Sequence, residues 1–361
     1  MAAPRFHALT VADIRKETDD AVSIAFAVPE PLREDYRFAA GQYLTLKATI
    51  DGREIRRSYS ICSAPADGEL RVAIRRVDGG LFSSFANDDI RAGDAMDVMT
   101  PDGRFTFTPD ADRAGRYVAF AAGSGITPVL SMIATALAAE PKSEVTLVYG
   151  NRSTRSALFR EELEDLKNRF PTRLSLVHVL SREAQDVPLL TGRIDADKAA
   201  EIIDGLVDVA ATDAFWLCGP QAMVDTVTAA LKTRGVDPKA IRFELFTPAD
   251  DGNTAPKKVA APGESLPVRH IAVIVDGHRT DFDMVDDGTA ILDAALTHHA
   301  DLPYACKGGM CCTCRAKLVE GEVEMAKTYS LEDDEIAQGY VLTCQATPKS
   351  DRIVLDFDQR G

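Results

Sequence analysis

The sequence predicts three domains: an antiparallel β-barrel, a doubly wound α/β domain with a parallel sheet, and a small α+β domain. Three changes of pattern along the chain predict them. Residues 6–108 hold short alternating runs broken by turn residues, and residues 115–246 alternate strand and helix patterns. From about residue 269, short strands surround one helix near Ala290–His298. We expect the domains at 1–111, 112–247 and 269–361, and a Pro/Gly/Ala-rich linker at 248–268.

The second domain has the clearest periodicity. Buried-type strand patterns begin at Tyr117, Glu144, Leu174 and Ala214. Helical patterns separate them at Val129–Ala138, Ala157–Lys167 and Ala222–Lys232. Strands that alternate with helices in this way predict a parallel sheet covered by helices.

Composition narrows the function classes. The net charge of −15 argues against a nucleic-acid partner, because phosphates would be repelled. No run approaches the roughly 18–20 apolar residues of a membrane span and no apolar signal region is seen, so we expect a cytoplasmic protein with no membrane partner. Residues 269–361 hold nine Lys/Arg and seventeen Asp/Glu, a net charge of −8. This acidic surface is either only solvated or steers docking onto a basic partner.

Four cysteines near the C-terminus carry the strongest motif. Cys306, Cys311 and Cys314 have the spacing C-x4-C-x2-C, and Cys344 follows far downstream. This spacing is that of a plant-type [2Fe–2S] centre. A zinc ribbon would need two close cysteine pairs, and disulfides suit small secreted domains, so both alternatives fit less well. Cys312 does not match the spacing and is expected to be a free thiol beside the cluster.

Two motifs in the first domain suit a flavin. Arg57, Tyr59 and Ser60 lie on one strand-like run, where an arginine can pair with phosphate and an aromatic ring can contact a planar cofactor. Such residues on a strand can equally be surface and core. The run Gly79-Gly80-Leu81-Phe82-Ser83-Ser84 is a glycine turn that enters a helix, whose first N–H groups favour a pyrophosphate. The same run could be only a turn with a capping serine.

The second domain carries a dinucleotide-like motif. Gly123, Gly125 and Thr127 directly follow the first parallel strand and open a helix. The second strand ends at Arg152 and Ser153, with no acid before Glu161 to hold the ribose hydroxyls of NADH. We therefore favour NADPH, although these residues could be ordinary loop charges.

A later strand of the second domain ends at Cys218 and Gly219, where ligands bind in doubly wound sheets. Cys218 could equally be a buried structural thiol.

With these motifs in this order, the chain resembles the ferredoxin–NADP reductase superfamily fused to a C-terminal plant-type [2Fe–2S] ferredoxin. The resemblance covers essentially the full length. It implies a flavin β-barrel, a nucleotide-binding α/β domain and a β-grasp ferredoxin domain. It also implies that the flavin is FAD, whereas the residues alone do not distinguish FAD from FMN.

The resemblance also implies roles for the residues that match the family's motifs. Those expected to hold FAD are Arg57, Tyr59, Ser60, Gly80, Leu81, Phe82 and Ser83. Those expected to bind the nicotinamide nucleotide are Gly123, Gly125, Thr127, Arg152, Ser153 and Gly219. Cys218 is expected beside the nicotinamide and Phe246 near the flavin. The cluster ligands are expected to be Cys306, Cys311, Cys314 and Cys344.

The implied function is electron transfer. NADPH gives two electrons together and the cluster accepts them singly, so a flavin belongs between them. The segments 149–153, 309–314, 341–345 and 354–358 look most like reductase subunits serving the di-iron oxygenase that acts on phenylacetyl-CoA in phenylacetate degradation. Three alternatives stay open: a reductase for a Rieske or steroid-ring oxygenase, a redox-sensing flavoprotein, and a zinc-bearing binding protein.

Overall fold

The computed structural model describes residues 5–246, 265–298, 300 and 302–359. The chain divides into two compact units. The larger comprises Phe6–Ile55 and Tyr59–Thr247, and the smaller comprises Pro248–Gly361 with the short segments Met1–Arg5 and Arg56–Ser58. The predicted boundary between residues 111 and 112 falls inside the larger unit and stays a prediction. The predicted linker at 248–268 lies mostly outside the described residues.

The larger unit begins with a six-stranded sheet that closes into a barrel. The elements of this region are β1 (Phe6–Thr18), β2 (Ala21–Ala27), β3 (Tyr43–Ile50), β4 (Arg53–Ser60), β5 (Leu70–Arg75), helix α1 (Leu81–Asp88) and β6 (Ala95–Met99). Within β4, the segment Arg56–Ser58 is the one grouped with the smaller unit. The strand order is β4-β3-β6-β1-β2-β5. An antiparallel bridge between Ile61, just after β4, and Val72 on β5 joins the two edges. The predicted antiparallel barrel is therefore confirmed.

The second half of this unit is a parallel sheet with helices on both faces. Its strands are β7 (Arg116–Ala122), β8 (Glu144–Asn151), β9 (Leu174–Leu180), β10 (Ala214–Gly219) and β11 (Ile241–Leu245). Its helices are α2 (Ile126–Ala139), α3 (Arg160–Arg169), α4 (Ala196–Leu206) and α5 (Gln221–Thr233).

The strand order β11-β10-β7-β8-β9 confirms the doubly wound prediction. Side chains of α2 and α3 pack in one core and those of α4 and α5 in another. The connections change direction between β7 and β10, so a crevice is expected outside the carboxyl ends of these two strands.

Three helices differ from the sequence prediction: two in the larger unit, and a short one over Asp333–Ala337 in the smaller unit that was not predicted. The helix expected over Ala157–Lys167 begins only at Arg160, because Phe159 takes a left-handed conformation (φ 56°) that a helix cannot include. Helix α4 was not predicted at all. The sequence does contain the signals of this helix. The Asp195 side chain caps its N-terminus by accepting a hydrogen bond from Lys198 N, and its buried residues recur at helical spacing.

The smaller unit is a mixed sheet that packs around one helix. Its elements are β12 (Val268–Val275), β13 (His278–Val285), α6 (Ile291–Thr297), β14 (Arg315–Glu320), β15 (Val323–Met325), α7 (Asp333–Ala337), β16 (Tyr340–Leu342), β17 (Ala346–Pro348) and β18 (Arg352–Asp356). The order is β13-β12-β18-β14-β16, with β12 and β18 parallel, and β15 pairs with β17. Ile291, Leu292 and Ala295 of α6 are buried in its core. This arrangement is the predicted β-grasp fold.

None of the described helices is long and apolar enough to cross a membrane.

Candidate functional site

The glycine motif after β7 lies directly against the end of β10. A Cβ atom at Gly125 would stand 2.2 Å from the carbonyl oxygen of Cys218, so only glycine allows this close approach. Gly123 has φ +56°, which also favours glycine. The Thr127 side chain is buried, and its hydroxyl donates to the Ser124 carbonyl at 3.0 Å. Gly123, Gly125 and Gly219 therefore lie at the carboxyl ends of β7 and β10, where the crevice is expected.

A carboxyl group connects the first predicted motif to this crevice. Ser60 Oγ, at the end of β4, donates to Glu244 Oε2 at 3.0 Å. Glu244 pairs with Cys218 across the neighbouring strands β10 and β11. Burial raises the pKa of Glu244 to about 7, while the hydrogen bond from Ser60 opposes the shift. Ser60, Glu244 and Cys218 therefore form one cluster between the barrel and the parallel sheet.

Cys218 itself is fully buried. Burial and, secondly, the nearby Glu244 raise the pKa of its thiol well above the usual range, so the thiol stays protonated at neutral pH. Phe246 is partly buried against the same core, and its backbone N–H donates to the Gly219 carbonyl at 3.2 Å. Both residues expected beside the reacting groups thus lie at one end of β10.

The barrel motifs come together around α1. The ring of half-buried Tyr59 lies 5.7 Å from that of Phe82, which is 2% exposed and belongs to the barrel core. Ser83 Oγ accepts from Val77 N at 3.0 Å and donates to the Gly80 carbonyl, so its hydroxyl closes the turn.

A Cβ at Gly80 would meet Ser83 Oγ at 2.7 Å, so the tight turn at the start of α1 favours glycine. The neighbouring Leu81 is 36% exposed. Backbone N–H groups at the start of a helix, near an aromatic ring, fit a flavin and its pyrophosphate. Arg57, on β4, donates from Nη1 to the Arg56 carbonyl at 2.9 Å, and its guanidinium group suits a phosphate.

Positively and negatively charged side chains meet at the turn after β8. Arg152 is exposed, and its carbonyl accepts from the backbone N–H of Arg182 at 2.7 Å, so a second arginine stands beside it. Glu183, the next residue, accepts from Thr154 N and Thr154 Oγ1, both at 2.8 Å, and these bonds lower its pKa. Along the chain, no acid follows β8 before Glu161. Glu183 was missed because it follows the neighbouring strand β9, although both strands end at the same edge of the sheet.

Two further residues at this turn had no sequence signal. Arg75, the last residue of β5, donates to the Ser156 carbonyl and lies 3.2 Å from the position of a Cβ at Gly123. Asn151 is buried at the end of β8, and neither of its amide atoms bonds to a described residue. Buried amides without partners are rare in folded proteins, so Asn151 fits a ligand or water that completes its hydrogen bonds. These features fit a nicotinamide nucleotide in the crevice.

The four motif cysteines meet in the smaller unit as two pairs. A hydrogen bond joins Cys306 to Cys311, and another joins Cys314 to Cys344. No three Cys, His, Asp or Glu side chains in the described ranges are placed to hold a single metal ion. A binuclear cluster instead takes two protein ligands on each of its two irons, so two thiol pairs fit a [2Fe–2S] centre.

Local donors favour thiolates at this centre. Gly308 N donates to Cys306 Sγ at 3.3 Å, and Thr313 Oγ1 donates to Cys311 Sγ at 3.2 Å. The hydrogen bond from Cys311, followed by backbone N–H groups, lowers the pKa of Cys306 to about 6. Iron is bound by the thiolate form, so these donors suit a ligand loop. Cys312 has φ 54°, and its thiol donates to the Ser330 carbonyl at 2.7 Å.

Three family models match the chain in the order of these sites. An oxidoreductase FAD-binding domain matches residues 8–107, an oxidoreductase NAD-binding domain matches 120–229, and a 2Fe-2S iron-sulfur cluster binding domain matches 273–349.

Full-length relatives share this organisation. The chain is 48% identical over 356 residues to a subunit of the 1,2-phenylacetyl-CoA epoxidase of Escherichia coli K12, with 99% of each chain covered. It is 35% identical to the ferredoxin reductase component of the 3-ketosteroid-9-alpha-monooxygenase of Rhodococcus rhodochrous, covering 97% of this chain and 96% of the relative. The solved structure of phthalate dioxygenase reductase, described as modular for electron transfer from pyridine nucleotides to [2Fe–2S], matches with a TM-score of 0.60 and 25% identity over 98% of each chain.

Proposed function

Because the chain belongs to the ferredoxin–NADP reductase superfamily, among the members with a C-terminal [2Fe–2S] ferredoxin domain, we propose that it is the reductase component of a phenylacetyl-CoA epoxidase. In that role it passes electrons from NADPH to a di-iron oxygenase. At the coarser level it is a pyridine-nucleotide-dependent electron-transfer reductase of an oxygenase system. The single observation that carries the finer proposal is the 48% identity, over 99% of both chains, to the epoxidase component of Escherichia coli.

The first step of electron transfer, from the nicotinamide to the flavin, depends on the two ligands that we propose for the larger unit. FAD, when bound, takes two electrons from the nicotinamide together and releases them one at a time. The chain's part is placement. Gly125 lets the loop after β7 pack directly on the Cys218 carbonyl, and Gly219 fits closely against Ala122 and Met223. The backbone of Phe246 bonds the same end of β10, so these residues set the shape of the proposed nicotinamide site.

The residues proposed to hold FAD fall into two groups: those that contact the cofactor and those that support the contacting residues. Arg57, Tyr59, Ser60 and the backbone of Gly80 and Leu81 contact the cofactor. Phe82 and Ser83 support it, because one is buried in the barrel core and the other closes the turn. Glu244 holds a proton next to Ser60 near neutral pH, since burial brings its pKa to about 7.

The preference for NADPH rests on charges at the turn after β8. Arg152 and Arg182 present two guanidinium groups, and Ser153 lies between the strand end and the turn. Glu183 brings one opposing charge, but both of its oxygens accept from Thr154. Two arginines near a carboxylate that is already hydrogen-bonded favour a 2′-phosphate.

Cys306, Cys311, Cys314 and Cys344 are proposed to ligate the cluster, from which single electrons leave for the oxygenase. The acidic charge of residues 269–361 would then help to orient the oxygenase through a basic docking face. None of the seven cysteines, all of which lie in the described residues, forms a disulfide, which suits the reducing cytoplasm proposed for this protein.

The second candidate is a reductase for a steroid-ring oxygenase, favoured by the 35% identity to the Rhodococcus rhodochrous component. Reconstitution separates the two. The purified reductase is combined with NADPH and either the phenylacetyl-CoA epoxidase or the 3-ketosteroid 9α-monooxygenase oxygenase component, and product formation is measured. We expect turnover with the epoxidase only. Turnover with the steroid oxygenase alone would transfer the assignment to the second candidate.

A further inference from the structure

Gln345, the residue after the fourth motif cysteine, spans the cysteine site with one amide group. Its Nε2 lies 2.8 Å from the Lys307 carbonyl oxygen and 3.0 Å from that of Cys344. The same nitrogen lies 3.6 Å from Cys344 Sγ. Lys307 directly follows Cys306, so this amide joins the backbone beside the first thiol to the backbone beside the last.

The backbone that Gln345 holds is strained. Lys307 has φ 49°, a left-handed conformation that is unfavourable for a residue with a Cβ. Its side chain is fixed as well, because Nζ lies 2.6 Å from Asp293 Oδ1 and 4.8 Å from the centre of the Tyr304 ring. A strained turn persists only where the surroundings hold it, and the Gln345 amide supplies one of these contacts.

The stem of Gln345 packs on the same loop. A Cβ added at Gly309 would stand 3.1 Å from Gln345 Cγ and 3.2 Å from the Cβ of Lys327. The loop between Cys306 and Cys311 thus packs closely against Gln345, and a side chain at Gly309, where φ is +77°, would be crowded and strained.

We propose that Gln345 is a positioning residue that locks the two thiol pairs together and raises the reduction potential of the iron–sulfur centre. This inference rests on the proposed function, since it assumes that the four cysteines bind a cluster. The amide has two N–H groups, which bond the two carbonyls, and one of them is shared with Cys344 Sγ. A donor beside a ligand sulfur favours the reduced, more negative cluster, so losing it lowers the potential.

The test compares two glutamine-to-methionine variants in the full-length holoprotein. Gln345→Met keeps the length of the side chain and removes its donors. The control is Gln359→Met, since Gln359 is exposed and its amide bonds Asp356 and not the cysteine loop. The cluster potential is measured by redox titration followed by electron paramagnetic resonance. We expect Gln345→Met to shift the one-electron equilibrium at least threefold toward the oxidised form, which is about 30 mV, and Gln359→Met to leave it unchanged.

A second variant is used if Gln345→Met binds the cluster poorly. If Gln345→Met holds less iron per flavin, Gln345→Glu is titrated instead, because it keeps the stem, lacks the donors and should lower the potential further. A potential and spectrum equal to the wild type in the variant that loads would overturn the inference. A wild-type protein that binds no cluster would instead overturn the proposed function.

Discussion

Ser60 at the end of the barrel strand β4 donates its hydroxyl proton to Glu244 on β11, with an Oγ–Oε2 distance of 3.0 Å. The two residues are 184 positions apart in sequence. Glu244 also pairs with Cys218, so this bond connects a predicted flavin residue to a predicted nicotinamide residue.

Glu244 makes stability depend on pH in a defined direction. Burial raises its pKa from an ordinary 4.5 to about 7, so the folded state binds more protons than the unfolded state between these values. The contribution of Glu244 to stability is therefore present at low pH and is lost as the pH rises from 4.5 through 7. We expect Glu244→Gln to gain stability relative to the wild type across this window, measured by urea unfolding of both proteins at several pH values.

Ser60→Ala provides a second test of the raised pKa of Glu244. The Ser60 bond lowers the pKa of Glu244, so its loss should move the window to higher pH. A stability difference between Glu244→Gln and the wild type that does not change with pH would show that this carboxyl does not titrate as described.

The close approach at Gly125 predicts a strong steric effect. A Cβ there would lie 2.2 Å from the Cys218 carbonyl oxygen, so Gly125→Ala should cost about 1–3 kcal/mol of unfolding free energy and weaken nucleotide binding. Gly205→Ala is the control, since Gly205 lies in α4 and its Cβ would meet nothing within 4 Å. That variant should gain up to about 1 kcal/mol. Equal effects of the two variants in thermal unfolding and coenzyme titration would contradict the proposed crevice.

Opposite charges at the turn after β8 predict opposite effects on coenzyme choice. Arg152→Ala should raise the KM for NADPH about tenfold and leave that for NADH nearly unchanged, because a charged hydrogen bond to the 2′-phosphate is lost. Steady-state reduction of ferricyanide measures both constants.

Glu183→Gln keeps an acceptor for Thr154 and removes the negative charge, so it should lower the KM for NADPH about two- to threefold. Matching changes for NADPH and NADH in the two variants would remove both residues from the 2′-phosphate site.

The two thiol pairs predict that cluster and flavin functions separate. Cys344→Ser breaks the Cys314–Cys344 pair, so it should abolish electron delivery to the oxygenase while NADPH–ferricyanide activity persists. Cys312→Ser should keep both activities, because Cys312 lies outside the ligand spacing and a serine hydroxyl can also donate to the Ser330 carbonyl. Loss of ferricyanide activity in Cys344→Ser, with flavin still bound, would contradict the modular electron path.

Local patterns in the sequence were sufficient for much of this architecture. The cysteine spacing and the glycines after β7 are short-range signals, because a tight turn needs particular residues at fixed offsets. The partners of those motifs were not predictable in this way. Glu183 reaches Thr154 from the neighbouring strand, and Arg75 reaches Ser156 from the barrel. Contacts between distant segments depend on packing, which a single sequence does not display.

The central claim is an electron path from NADPH through a flavin to a [2Fe–2S] centre, and anaerobic titration tests it most directly. The holoprotein is titrated with NADPH while its optical spectrum is recorded, and the titration is repeated with the phenylacetyl-CoA epoxidase oxygenase component. We expect flavin bleaching and loss of iron–sulfur absorbance as NADPH is added, and reoxidation of both when the oxygenase, its substrate and oxygen are supplied. A colourless protein, or a flavin that bleaches while the iron–sulfur absorbance stays oxidised, would contradict the account.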